Sequence, residues 1–270
     1  MDSAIDVRDK DGLRTLHFGS AWTQGAMRIE RPWELALEYT RLMMACLLLR
    51  EGGNGVAGCP PASSLRGLRD ESRFPDSVLL IGLGAGSLAK FLYRHCPMAH
   101  LTAVEIEPRV VTVAREYFRL PVDPDRLDIV IGDGAEFVRT TDETYDLIMV
   151  DGFNEHGHTG DLNTLLFYQA CRARLSDQGL LVANLIGLCD GVKGGFAHIE
   201  AAFDHRAVMF PRCKSGNTIA FAATGERIDL SLEELRKRAL VFEERTALAL
   251  LLALRKLDNS PAFQEGKLTL

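Results

Sequence analysis

The stretch Val78–Glu105, VLLIGLGAGSLAKFLYRHCPMAHLTAVE, decides how the chain is to be read. An apolar run ends on the turn Gly82-Leu83-Gly84-Ala85-Gly86, a helical pattern follows, and a second apolar run closes on Glu105. Glycine lets main chain turn sharply at the end of a buried strand and approach a ligand closely. A carboxylate about 20 positions further on can accept hydrogen bonds from ribose hydroxyls. Strand, glycine turn, helix, strand and acid in that order imply a nucleoside site in a Rossmann-like fold.

Downstream of this unit, apolar runs and helical patterns keep alternating. LDIVIG, YDLIMVD and GLLVANLI read as strands. Pro108–Phe118, a short segment after Asp133, and Leu162–Leu175 read as helices, with Ser87–His95 as the first of the series. Such alternation predicts a mostly parallel sheet with helices on both faces. Between AVMFP and TIAFAAT only Arg-Cys-Lys-Ser-Gly-Asn intervenes, too little for a crossover helix, so those strands should form an antiparallel C-terminal hairpin. This α/β arrangement is that of a methyltransferase-type sheet.

Upstream, Leu13–Gln24 alternates as short strands do, and Pro32 opens a helical pattern through Leu35, Tyr39, Leu42 and Met43 to Leu49. Residues 51–77 are rich in Gly, Pro, Ser and charge and read as a long mobile loop. Leu235, Ala239, Phe242, Ala249 and Leu252 recur at helical spacing in a tail helix over Leu232–Leu257. The expected organisation is a small β-segment and helix over residues 1–50, the loop over 51–77, the nucleoside-binding domain over 78–228 and a helical tail over 229–270.

Composition narrows the function classes. A chain of 270 residues that is 47% apolar has material for a packed core, and a net charge of −6 with dispersed basic residues argues against nucleic acid as a partner. The six cysteines form no Cys-x-x-Cys pair and read as reduced thiols of a cytoplasmic protein. The start MDSAIDVRDKDG has no apolar h-region, and no apolar run approaches the roughly 20 residues of a membrane span, so no membrane role is expected. His156-Gly157-His158 lacks the spacing of zinc motifs, so no metal is expected, and there is no G-x-S-x-G elbow.

Ligands of open parallel sheets bind beyond the carboxyl ends of the strands. The glycine turn, Glu105, Asp133 and Asp151 all fall at such ends. Singly, each acid reads equally as a helix cap or a solvated loop residue; jointly they point to one site. In it Glu105 would accept from ribose, Asp133 from an adenine amino group, and the Gly82–Gly86 backbone would run beneath the ligand. Asp151 would stand at the reacting end, holding a cationic sulfonium or taking a proton from an attacking amine.

These segments resemble the spermidine synthase family, the polyamine aminopropyltransferases, from about Gly19 to Thr224. The matching pieces are GSAWTQGAMRI with ELALEYTRLMM, VLLIGLGAGSLAKFL, TAVEIEPRVVTVAREYF, IGDGAEFV and YDLIMVDGF. The resemblance implies a donor substrate, decarboxylated S-adenosylmethionine or S-adenosylmethionine itself, contacted by Gln24, Gly82, Gly84, Gly86, Glu105, Asp133 and Gly134. It implies Asp151 as the catalytic carboxylate, and Tyr39, Asn154 and Glu155 as contacts to a small-molecule amine, in an enzyme that could act as a homodimer. The chain departs from the family at Ala85, where the glycine turn usually carries aspartate, and at Asp151-Gly152-Phe153-Asn154-Glu155, where the family usually reads D-S-S-D-P. Both changes remove a carboxylate suited to an ammonium group. S-adenosylmethionine-dependent methyl transfer on the same fold, and a non-catalytic nucleoside-binding scaffold, are therefore the competing expectations. A nicotinamide dehydrogenase fits less well, because Ser87 stands where the third fingerprint glycine belongs.

Overall fold

The computed structural model describes residues 4–19, 22–50, 74–153, 159–187, 189–255, 263–264 and 266–270. The anticipated loop over 51–77 thus falls outside the described residues but for its last four positions.

The chain opens with three antiparallel strands, β1 (Ile5–Lys10), β2 (Leu13–Phe18) and β3 (Gly25–Arg28). β1 has no clear alternation in the sequence because its side chains are partly or fully exposed. The helix anticipated from Pro32 starts only at Glu38: α1 spans Glu38–Met43 and tightens into a 3-10 turn over Met44–Leu48. Leu37 is extended, and the carbonyls of Leu35 and Ala36 are taken by the side chain of Arg41 rather than by a further helical turn.

The main domain then runs β4 (Ser77–Ile81), α2 (Ser87–His95), β5 (His100–Glu105), α3 (Pro108–Phe118), β6 (Leu127–Ile131), α4 (Gly134–Thr140) and β7 (Tyr145–Val150). It continues through α5 (Leu165–Ala173), β8 (Leu175–Leu185), α6 (Cys189–Ala202), β9 (Ala207–Met209) and β10 (Thr218–Ala223). The sheet order is β6-β5-β4-β7-β8-β10-β9, parallel from β6 to β8, with β10 antiparallel to both neighbours. The expected parallel sheet with an antiparallel β9–β10 pair is therefore present. The strands are continuous apolar runs because helices cover both faces. One core contains Val78, Leu80, Leu101, Leu147 and Val182, and the other Leu79, Ile81, Val104, Ile148 and Leu181.

Two further helical readings need correction. A helix not anticipated, α6, crosses between β8 and β9; Gly191, Gly194 and Gly195 weaken its helical signal, and Gly195 is where the Asn163 side chain packs. The tail helix, α7, stops at Thr246 (Leu232–Thr246), where Ala247 adopts a left-handed conformation with φ +57° and the Thr246 hydroxyl accepts the Leu248 N–H. Beyond it Leu248, Leu250 and Leu254 are buried, whereas Ala249 and Leu252 face outward, the reverse of one continuous helix. A short helix, α8 (Leu251–Arg255), follows. The chain then ends in β12 (Phe263–Gln264) and β13 (Lys267–Thr269), and β13 pairs with β11 (Asp229–Ser231).

Candidate functional site

The chain leaves β4 toward β5 and β6, then returns to β7 on the other side of β4, so the sheet reverses its winding at the end of β4. A crevice forms at such a point because the loops on either side diverge. Main chain closes its floor: the Gly82 N–H donates to Val104 O at 2.9 Å and the Asp151 N–H to Ile81 O at 2.9 Å. Gly82 has φ +92°, and a Cβ there would drive into the carbonyl of Asp151. The turn thus needs glycine both for its conformation and for the close pass of β7.

Above this floor is a cavity of about 280 Å³. Gln24, Gly82, Gly84, Glu105, Asp133, Gly134 and Asp151 all line it, which brings together most residues singled out from the sequence. Gly86 lies behind it as the cap of α2, against Leu120, and Tyr39 reaches the site through Asp151. Asn154 and Glu155 lie outside the described residues, as do His156 and His158.

At the β5 end, Glu105 is buried with both oxygens engaged: Oε2 accepts the Leu83 N–H and Oε1 the Glu107 N–H, each at 3.0 Å. Asp133 caps α4, its Oδ1 accepting the Glu136 N–H at 2.8 Å, so the capping reading holds while the residue also lines the cavity. Apolar walls are supplied by Ile106 and Leu162, neither anticipated. Ile106 is 69% exposed, although it follows the buried strand directly. The positional signal was its place beside Glu105.

Asp151 ends β7 with part of its surface open to the cleft. The Tyr39 hydroxyl donates to its Oδ2 at 3.1 Å and Asn184 Nδ2 to its Oδ1 at 2.7 Å. Burial pushes the Asp151 carboxyl up to about 6, and the hydrogen bonds from Asn184 and Tyr39 pull against that rise. Burial, with the carboxylate beside it, holds the Tyr39 phenol well above its ordinary range. A carboxylate tuned toward neutrality, at the mouth of a nucleoside-sized cleft, is suited to receive a proton. Asn184, buried within β8, was not anticipated, although an asparagine interrupting GLLVANLI is a signal.

The comparisons with known proteins agree with this geometry. Residues 68–185 match the model of the spermine/spermidine synthase domain. A polyamine aminopropyltransferase of Chromobacterium violaceum is 31% identical over 244 residues, covering 90% of this chain and 85% of the relative. The chain belongs to the polyamine aminopropyltransferase family. A probable spermidine synthase from Corynebacterium glutamicum superposes with a TM-score of 0.66 at 20% identity, covering 88% of this chain and 84% of the other. Human methyltransferase-like protein 13 in complex with SAH superposes at 0.62 with 24% identity, covering 78% and 93%. Together they show that the fold of this chain is shared with a probable spermidine synthase and with a methyltransferase-like protein.

Ala85, at the position where the family usually has aspartate, is 2% exposed and packs with Leu16, Met27 and Phe118 beneath β3. A Cβ on Gly25 would stand 2.5 Å from that of Ala85, so strand and turn meet without room between them. Cys46, Cys96, Cys171 and Cys213 are buried thiols. A larger groove of about 1090 Å³ lies between the N-terminal segment and the end of α7. Its charges are partly paired, Arg31 with Glu34 at 3.2 Å, and it contains none of the candidate site residues named from the sequence. Among the described residues no three His, Cys, Asp or Glu side chains converge as metal ligands, and no helix is long and apolar enough to cross a membrane.

Proposed function

We propose that this chain transfers an aminopropyl group from decarboxylated S-adenosylmethionine to a small amine. The observation that carries the reading is Asp151, a carboxylate pushed up to about 6 at the end of β7, beside a glycine turn and across the cleft from Glu105. In the proposed reaction a neutral amine nitrogen attacks the propyl carbon attached to the sulfonium. The C–N bond forms as the C–S bond breaks, the electron pair returns to sulfur, and methylthioadenosine leaves. The amine's proton passes to Asp151. A sulfonium needs no acid to depart, so one base is enough.

Further roles follow from bond types. Glu105, fixed by two main-chain donors, is assigned to the ribose hydroxyls, Asp133 and Gly134 to the adenine edge, and Gln24, Gly82 and Gly84 to the rest of the donor. Tyr39 holds Asp151, and Asn154 and Glu155 are assigned to the acceptor. The reading includes a cytoplasmic homodimer, and the net charge of −6 favours a cationic small molecule over a phosphate polymer.

Ala85 favours one other reading, S-adenosylmethionine-dependent methyl transfer, since the glycine turn contributes no carboxylate that would repel the donor's own. Incubation with each donor and a panel of di- and polyamines, read by mass spectrometry, separates the two. Amine-dependent methylthioadenosine supports aminopropyl transfer, whereas S-adenosylhomocysteine with a methylated acceptor overturns it.

A further inference from the structure

Behind Asp151 the hydrogen bonds continue away from the cleft in one direction. Asn184 Nδ2 donates to Asp151, Asn217 Nδ2 donates to Asn184 Oδ1 at 3.0 Å, and the Ser215 hydroxyl donates to Asn217 Oδ1 at 2.6 Å. Asn184 and Asn217 are 3% and 5% exposed. Asn184 sits in β8 opposite Ile219 of β10, and Asn217 immediately precedes β10, so antiparallel pairing of the two strands brings the amides together. A carboxylate only accepts, so Asn184 must turn its NH₂ toward Asp151 and its oxygen toward Asn217. That oxygen in turn draws the Asn217 NH₂ toward it, and the Asn217 oxygen takes the Ser215 hydroxyl as its donor. Aligned amide dipoles strengthen one another in a low dielectric.

We propose that Asn184, Asn217 and Ser215 are positioning residues that orient Asp151 and hold it ionised, forming a one-way relay whose outer two members lie behind Asn184. The inference rests on the reading of Asp151 as the base. The other titratable groups at the cleft are Tyr39 from α1, which also donates to Asp151, and the carboxylates of Glu105, Asp133 and Asp161 along the cavity wall. Among these groups only Tyr39 donates to Asp151, so Tyr39 and the relay are the described side chains that favour its charge.

The discriminating variant is Asn217→Asp. An ionised aspartate at 217 accepts from Asn184, pulls its NH₂ away from Asp151 and presents an oxygen there instead. The Asp151 carboxyl should then titrate about one pH unit higher or more. Ser215→Ala should shift it in the same direction by less. The full-length protein, labelled at the aspartate carboxyl carbon and assigned with Asp151→Asn, gives that titration by NMR without any substrate. The pH dependence of kcat/KM with decarboxylated S-adenosylmethionine and an amine gives it a second time. Parallel upward movement of the carbon titration and the acid limb, in variants that still melt cooperatively, is the expected result. An unmoved Asp151 titration in folded Asn217→Asp overturns the relay. A moved titration in a protein that shows no amine-dependent turnover even as wild type supports the relay and overturns the assigned reaction.

Discussion

The carboxylate of Glu105 ties the glycine turn to the end of β5: its Oε2 receives the Leu83 N–H at 3.0 Å while its other oxygen holds Glu107. One side chain thereby shapes the cleft floor and presents charge to it. In Glu105→Gln an NH₂ group must face one of these two donors. The loss should be about 1–3 kcal/mol of stability, the cost of a buried donor without an acceptor, measured by urea denaturation. Binding of methylthioadenosine by calorimetry should weaken at least tenfold. Unchanged affinity would remove Glu105 from the ribose assignment.

Asp151 should behave as a functional group kept at a cost to the fold. Its folded value of about 6 lies above the ordinary 3.8, so the folded state binds the proton more tightly than the unfolded one. That stabilisation is complete below about pH 4 and is lost as pH rises through about 6, leaving the ionised form costly by roughly 3 kcal/mol at pH 8. Asp151→Asn should therefore melt higher than the wild type at pH 8, with the gap closing toward pH 4. It should also lower turnover by about 10²–10⁴-fold, the range for a lost general base. A variant that is inactive and no more stable at pH 8 would contradict the assigned burial cost.

Ala85 offers a test of how donor and acceptor charges are handled. Placing the family's aspartate there, Ala85→Asp, puts a carboxylate into the small core of Leu16, Met27 and Phe118, against Gly25. The expected outcome is loss of several kcal/mol in urea unfolding and no gain in diamine turnover. A stable variant with improved diamine turnover would show that the position opens to the cleft.

Lys90 makes a further pH-dependent prediction. Its ammonium is buried and donates to Phe118 O at 2.7 Å and Pro32 O at 3.0 Å, joining α2, the end of α3 and the approach to α1. Burial, with Arg119 nearby, lowers it to about 8 from 10.5. A lysine depressed in the fold is held more tightly by the unfolded chain, so the wild type should gain stability as pH rises from 8 to 10. Lys90→Met removes that dependence, and the stability difference between the two proteins should move in favour of the wild type by about 1–2 kcal/mol over that interval. Parallel pH profiles in thermal unfolding would refute it.

The glycine turn, Glu105, Asp133 and Asp151 were legible in the sequence because each lies at the end of an apolar run. Strand ends are local features that turn chemistry and periodicity mark directly. Ala85 was legible only as a departure, since its contact with Gly25 depends on how β3 folds over the turn. Asn184 and Asn217 lie 33 positions apart, and no periodicity connects them. Only the antiparallel register of β8 and β10 makes them neighbours. Helix α6 was hidden by its glycines, of which Gly195 packs closely on Asn163, and the end of α7 by a left-handed residue that is not glycine. What escaped the sequence was lateral, set by which strand lies beside which.

The position of β10 has a consequence for how the enzyme is made. All the strands that frame the cleft have left the ribosome once β8 is complete, but β10 inserts between β8 and β9 and is synthesised after both. A nascent chain ending before Thr218 has a glycine turn, a Glu105 and an Asp151, yet β8 still presents an open edge and Asn184 faces no partner strand. During synthesis the scaffold that grips a nucleoside is thus assembled earlier than the strand pairing that steadies the reacting carboxylate, and the partly made chain should be a binder before it is a catalyst.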